Sequence, residues 1–321
     1  MNKILTAKII RLAKHGFKTR LLAAAAMTCS ILSMQLPADP SNAVLILNSD
    51  NSVGRYALAQ STFEASQTGE KIIIDLGDGQ PHDEVIQKLF QQSKIKITYA
   101  IGSNAYMLIN QLAADSKIIF SSAINWQRLP LEDHTFGVSN ELPAGMQLMT
   151  FRYLFPDVRK IGIVYSEKFN EEWVAEAVKS ARDAGIEIIG KSIDDHTELA
   201  PALRSLLPKV DALWLISDPS VLSSKDATME IFGQSNAMKK PVFAYDKIYT
   251  DLGALLIISP DIYTISRQAA ALVDDLLTGT KITEKVVSPA GSHVILNMKT
   301  LNSFNVRLNQ DALDSVNQVI E

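Results

Sequence analysis

Three apolar runs of strand length in the second half of this chain stop in the same way. Ile161-Gly-Ile-Val-Tyr-Ser166, Ala212-Leu-Trp-Leu-Ile-Ser-Asp218 and Pro241-Val-Phe-Ala-Tyr-Asp246 each end at a small or acidic polar residue and give way to a helical or loop pattern. Continuous apolar runs alternating with amphipathic helices mark a parallel sheet covered on both faces. Such a sheet keeps no face for polar chemistry, and ligands bind beyond the carboxyl ends of its strands. The pattern predicts a scaffold that presents Ser, Asp and Tyr residues to a small molecule.

The first half repeats the unit. Strands are expected at Val44–Leu47, Lys71–Leu76, Ile97–Ile101 and Ile118–Phe120, separated by helices near 54–67, 82–92 and 105–114. In the second of these helices Val85, Ile86, Leu89 and Phe90 stand at core spacing. After Pro156 the pattern predicts strands at 161–165, 187–189, 212–216, 242–245, 253–259 and 294–297. Helices are expected at 171–184, 198–206, 225–238 and 263–277, with a last one over Gln310–Val319. Gly185 is placed to cap the helix before it. Candidate crossings between two lobes lie near Phe155–Lys160, Tyr249–Gly253 and Thr280–Pro289.

Charge is distributed unevenly. Residues 1–38 carry six bases and no acid; without them 25 bases face 35 acids, a formal charge of −10. A body that acidic is a poor polyanion binder, so nucleic acid is disfavoured as a partner. The basic start leads into sixteen uncharged residues, Leu21 to Leu36, and then a short Pro- and Ala-containing stretch. That order predicts a secretory signal peptide over 1–38, with export to a periplasmic or other extracytoplasmic space. The run is short for a membrane span, which needs about 20 apolar residues. Cys29 is the single cysteine, so the mature chain would have no disulfide, thiolate nucleophile or cysteine metal ligand.

Ordered blocks in this chain resemble a known family. Phe155-Pro-Asp-Val-Arg-Lys-Ile-Gly-Ile-Val-Tyr165 is similar to the hinge-and-strand motif of the ABC-transporter substrate-binding proteins of the type I periplasmic binding protein fold. Val210-Asp-Ala-Leu-Trp-Leu, Lys240-Pro-Val-Phe-Ala, Gly253-Ala-Leu-Leu, Tyr263 with Arg267-Gln-Ala-Ala, Leu277-Thr-Gly279 and Ile295-Leu-Asn297 follow in order. The resemblance covers 44–321 and implies two doubly wound parallel-sheet α/β lobes joined by a three-crossing hinge. It implies a first lobe of 44–155 plus about 253–281, and a second of 158–250 plus about 286–321. It further implies capture of a small polar ligand, amino-acid-like as a first guess, for delivery to an ABC permease in the inner membrane. The same fold also serves as the ligand-sensing subunit of a membrane kinase, cyclase or chemoreceptor, and nothing in the chain separates the two. Family members that bind aromatic amino acids often have Asp-Asn where this chain has Asp218-Pro219; the acid is kept and the amide is missing.

The candidate ligand-binding residues follow from the strand ends. Gly102-Ser103-Asn104 opens a helix whose free N–H groups suit a carboxylate, although Ser and Asn also serve as ordinary helix caps. Ser121 and Ser122, with Ser49 and Asp50 beside Asn48, lie on the same edge. Asp218 and Asp246 suit a ligand amine, and Tyr165 suits a flat ring, as do Tyr245 at another strand end and Trp126 in the loop after Ser122. Five scattered histidines give no metal-ligand spacing, so no metal and no cofactor is expected. No nucleophile–base pair, phosphate loop or dinucleotide fingerprint is present, which argues against an enzyme. A monomer is expected.

Overall fold

The computed structural model describes residues 43–93, 95–112, 116–304 and 306–321. The expected signal segment and Cys29 lie outside the described residues.

The first sheet takes its strands from alternating units: β1 (Val44–Asn48), α1 (Gly54–Ser66), β2 (Lys71–Asp75), α2 (Asp83–Ser93), β3 (Ile97–Ile101), α3 (Ser103–Leu112), β4 (Lys117–Ser121) and β5 (Thr135–Val138). The chain continues through α4 (Ala144–Leu154), β6 (Lys160–Tyr165), α5 (Glu167–Asp183), β7 (Glu187–Ser192), α6 (Leu199–Leu206), β8 (Ala212–Trp214), α7 (Lys225–Ala237), β9 (Val242–Ala244) and β10 (Leu256–Pro260). Then come α8 (Ile262–Thr278), β11 (Val286–Val287), β12 (Ser292–Asn297), α9 (Met298–Leu301) and β13 (Gln318–Ile320).

The strand orders are β11-β5-β4-β3-β1-β2 and β13-β12-β10-β9-β8-β6-β7. Each sheet thus contains the order second, first, third, fourth, fifth, which reverses direction between its first and third strands. The first sheet is wholly parallel, and in the second only β10 and β12 run antiparallel.

Both faces of the inner strands β1, β3, β4, β6, β8 and β9 are buried, which is why these strands are apolar at nearly every position, while the edge strands β2, β7 and β13 are partly exposed. In β1, Val44 and Ile46 pack toward α1 and α8, while Leu45 and Leu47 pack with Ala105 and Ile109 of α3. In β6, Ile161 and Ile163 join the core with Phe151 and Val174, while Val164 joins Leu203 and Leu206. Glycine supplies space where needed: a Cβ on Gly137 of β5 would lie 2.5 Å from the Phe120 ring.

Several expected boundaries move. The expected first lobe includes residues 144–155, but α4 buries Leu148, Phe151 and Leu154 against the second sheet. Phe151 meets Trp214 edge-on at 5.0 Å and Phe243 at 4.7 Å. The first crossing is therefore Ser139–Pro143, not 155–160. Strand β10 pairs with β9 and β12 in the second sheet, so of 253–281 it is α8 that returns to the first lobe. Strand β11 adds to the first sheet beside β5, and the second is rejoined at β12. The expected last helix is instead a 3₁₀ turn, Gln310–Ser315, followed by β13. Asn317 accepts the Val294 N–H at 2.7 Å through its side chain and returns its own N–H to Val294 O at 2.9 Å. This anchor and the β-branched Val319 and Ile320 favour a strand.

The crossings Ser139–Pro143, Pro260–Asp261 and Ser288–Gly291 are tied together. Ser139 N–H donates to Val287 O at 2.9 Å and Asp261 N–H to Gly291 O at 3.0 Å. Gln268 of α8 donates to Ser288 O at 3.0 Å and accepts the Ala290 N–H at 2.9 Å.

Removing the ring that joins α4 to the second sheet should be costly. Phe151→Ala is expected to destabilise the protein by about 3–5 kcal/mol, read from the midpoint of guanidinium unfolding. A loss under about 1 kcal/mol, the level of an exposed position, would contradict this placement of α4.

Candidate functional site

In a doubly wound sheet the crevice opens where strand order reverses. In the first lobe that point lies between the ends of β1 and β3. Ser49 Oγ accepts the Ala105 N–H at 3.0 Å, and Ser49 N–H donates to Ile101 O at 3.0 Å. Gly102 has φ +86°, and a Cβ there would sit 2.6 Å from Ser49 Oγ. Glycine is thus required by backbone and by space together. Helix α3 begins at the next residue. The N–H groups of Ser103 and Asn104 have no backbone acceptor among the described residues, as a helix start leaves them.

The end of β4 lies alongside. Ser121 Oγ contacts Tyr99 OH at 2.6 Å within the core, and burial pushes the Tyr99 phenol up to about 12. Ser122 differs. It is buried, its φ is +58°, and its Oγ has no hydrogen-bond partner among the described residues. Asn125, three residues on, has φ +54°. Left-handed backbone in a non-glycine residue costs about 1–2 kcal/mol, and buried hydroxyls are normally paired. One loop carries both exceptions. Its Asn125 N–H donates to Glu141 Oε1, in the first crossing, at 2.5 Å.

Other first-lobe candidates turn inward. Asp50 accepts the Ser52 N–H at 2.9 Å and the Ser52 hydroxyl at 2.6 Å, and these bonds lower its pKa. It closes its own turn. The Asn48 amide donates to Gln60 Oε1 at 2.9 Å.

In the second lobe the reversal lies between β6 and β8. Asp218 is 1% exposed. Its Oδ2 accepts the Ser166 N–H at 2.8 Å and the Asn170 amide at 2.7 Å. Its Oδ1 accepts the N–H groups of Ser220 at 2.9 Å and Val221 at 3.2 Å. Four donors occupy this carboxylate, so Asp218 shapes the strand end instead of offering a bare charge. Asn170 breaks the helical geometry of α5, with φ −137°, and donates to Asp218. Tyr165 is half-buried, 3.1 Å from where a Cβ on Gly190 would stand. Burial first, then Glu167 and Glu171, raises its phenol pKa.

Asp246 accepts the Ile248 N–H at 3.1 Å and pairs with Arg55 of α1, in the other lobe, at 3.7 Å. A second contact joins the lobes: the Arg128 guanidinium, past β4, lies 4.1 Å from the Phe169 ring centroid on α5. These contacts link the strand ends of one sheet to those of the other, so the two reversals face each other across a cleft. Ser49, Gly102, Ser103, Asn104 and Ser122 gather on one wall, whereas Ser121, expected beside them, turns its hydroxyl into the core toward Tyr99; Tyr165 and Asp218 belong to the other wall, and Asp246 stands at the rim. Sequence reasoning missed Arg55, Arg128, Glu141, Phe169 and Asn170; only Asn170 carried a signal, as a polar residue early in a helix that follows a strand end. An apolar pocket of about 530 Å³ lies beside the second reversal, between α7 and Tyr245, Tyr249 and Leu252. Among the described residues no cluster of His, Cys, Asp or Glu is placed to hold a metal, and no helix is long and apolar enough to cross a membrane.

The model of the ABC transporter substrate binding protein family matches residues 78–320. The tyrosine-binding protein of Clostridioides difficile strain R20291 is 24% identical over 256 residues, covering 74% of this chain and 72% of that protein. A solved substrate-binding protein with adhesive properties from Clostridium difficile, in its ligand-free, open structure, has a TM-score of 0.68 at 16% identity, covering 87% of this chain and 99% of that one. The ABC domain from Streptococcus pneumonia in complex with L-Trp has a TM-score of 0.55 at 18% identity, with the same coverages of 87% and 99%. These solved structures share the type I periplasmic binding protein fold of two α/β lobes.

The two acids should respond differently to removal. Asp218→Ala strips the acceptor from buried donors and is expected to cost about 2–4 kcal/mol. Asp246→Ala breaks a pair whose side chains are 26% and 37% exposed, and should cost less than about 1 kcal/mol. Urea unfolding of both variants checks this; equal losses would contradict the assigned roles.

Proposed function

Because this chain belongs to the ABC transporter substrate-binding protein family, we propose that it captures an amino acid between its lobes outside the cytoplasm and delivers it to an ABC permease. The supporting observation is the unpaired, buried Ser122 hydroxyl on a strained loop beside the free N–H groups of α3. A ligand carboxylate suits that wall: helix N-termini favour anions, and the hydroxyls of Ser122 and Ser103 add donors. The related tyrosine-binding protein and the L-Trp complex favour an aromatic amino acid as the first class to test.

On the second wall Asp218 acts through the groups that it fixes, Ser166 and the Asn170 amide. Tyr165 is the aromatic surface on that side. Ligand touches both walls together only when the lobes are close, so its binding energy selects the closed arrangement. Three short crossings give the motion few points at which to bend. The basic, then apolar start of the chain suits export to the compartment where such capture takes place.

A thermal-shift series over the common amino acids tests the reading. At a ligand concentration a hundredfold above Kd the stabilisation is about 2.7 kcal/mol, or roughly 5–10 °C in Tm for a chain of this size. L-Tyr or L-Trp is expected to give that shift. Ser122→Ala should leave the Tm without ligand unchanged or higher and weaken binding about tenfold, the worth of about 1.4 kcal/mol. A flat response to every amino acid would overturn the ligand class.

A further inference from the structure

One carboxyl group near the cleft has no part in this capture scheme. Glu141 belongs to the crossing Ser139–Pro143, and its Oε1 accepts the Asn125 N–H at 2.5 Å. Its Oε2 lies 3.0 Å from Ser139 Oγ. Among the described residues it forms no ion pair. Burial raises its pKa above the ordinary value near 4.5, opposed by donors at Asn125, Ser139, Asn140 and its own N–H. No charged side chain contributes to that shift, and the loop's own cation, Arg128, sits over Phe169. A half-buried acid held by neutral donors alone, with no cation beside it, marks a position where its geometry is used.

The contacts of Glu141 run in two directions. On the hinge side, Ser139 donates its N–H to Val287 O at 2.9 Å, which joins the first crossing to the strand leading into the third. On the cleft side, Asn125 precedes the turn Trp126–Arg128 and follows Ser122 by three residues. That loop holds the unpaired hydroxyl of Ser122 and the guanidinium that reaches Phe169 of the other lobe. We propose that Glu141 is a positioning residue that couples the hinge to the loop Ser122–Arg128, so that the loop is presented to the second lobe only in the hinge setting that Glu141 holds. The coupling rests on the capture reading where Ser122 is concerned, but its lobe-to-lobe consequence is independent of any ligand.

The Ser139 hydroxyl allows Glu141 two states. It lies 3.0 Å from Oε2 and 3.1 Å from the Glu141 carbonyl oxygen. When Glu141 is ionised, the hydroxyl donates to Oε2 and the Asn125 bond is charge-assisted. When Glu141 is protonated, Oε2–H donates to Ser139 Oγ, whose proton turns to the carbonyl. The Asn125 bond persists in that state as the weaker, neutral kind. A glutamine reproduces the protonated pattern, with an oxygen for Asn125 and an N–H for Ser139. The folded protein holds this proton more tightly than the unfolded chain. Stability from this group therefore falls as the pH rises from about 4.5 through the raised folded value, and Glu141→Gln removes that slope.

The test uses the full chain with Cys29→Ser and spin labels on cysteines at the exposed Met107 and Met229, one in each lobe. Distance distributions are measured from pH 4.5 to 8, while the Asn125 amide resonance reports the charge of Glu141. The wild-type side chain should give a narrow distribution at high pH that broadens as the Asn125 resonance titrates. Glu141→Gln should match the acidic distribution at every pH, and Glu141→Ala should be broader still. With L-tyrosine as probe, Glu141→Ala should bind about tenfold more weakly and Glu141→Gln within about threefold of wild type. Overlapping distributions for all three proteins at every pH would overturn the coupling, even if Glu141→Ala lowers the Tm. Failure of the unaltered protein to bind L-tyrosine would count against the ligand class alone, because the distances decide the coupling.

Discussion

The burial of both faces of the inner strands of both sheets is the constraint on which the molecule rests. A strand covered on each side by helices must be apolar at nearly every residue, so polar groups collect at its ends. In β1, β3 and β4 that rule leaves Asn48–Ser49, Gly102–Ser103 and Ser121–Ser122 as the first polar residues past the apolar run. The same strand order in both sheets then reverses at one place in each, and the helices diverge there to leave a crevice.

Around the strand ends the polar residues fall into two kinds. Asp218, Ser49, Ser121 and Asn48 have their hydrogen bonds filled by neighbours, and they hold strand ends and loops in fixed positions. Ser122 and the first N–H groups of α3 remain open. An arrangement of this sort places a few unsatisfied donors on a satisfied frame, which keeps the binding surface from collapsing onto itself. Glu141 belongs to neither kind: neutral donors hold its oxygens, it has no cationic partner among the described residues, and it stands where the hinge meets the loop.

Much of the fold was legible because its signals are local. Apolar runs of strand length and helical spacing identified most elements of both lobes and their two-lobed α/β class. Helix α4 obeys the same rule, with Ala144, Gln147, Leu148, Phe151 and Leu154 on one face. Spacing shows that a face is buried but not against which sheet, so the first crossing was misplaced by about one helix. The strand ends marked Ser122 and Asp218 for the same local reason. They could not reveal that Asp218 is already occupied, because two of its donors come from Ser166 and Asn170, about fifty residues away in the chain. Arg55, Arg128 and Glu141 read in sequence as ordinary surface charges; their partners at Asp246, Phe169 and Asn125 come from other elements.

A crystal structure of the protein grown with L-tyrosine or L-tryptophan tests the central claim most directly. The account predicts the amino acid between the lobes, with its carboxylate within hydrogen-bond distance of Ser122 Oγ and of an N–H at the start of α3. Clear density for the ligand elsewhere, with the Ser122 hydroxyl still unpaired, would contradict it.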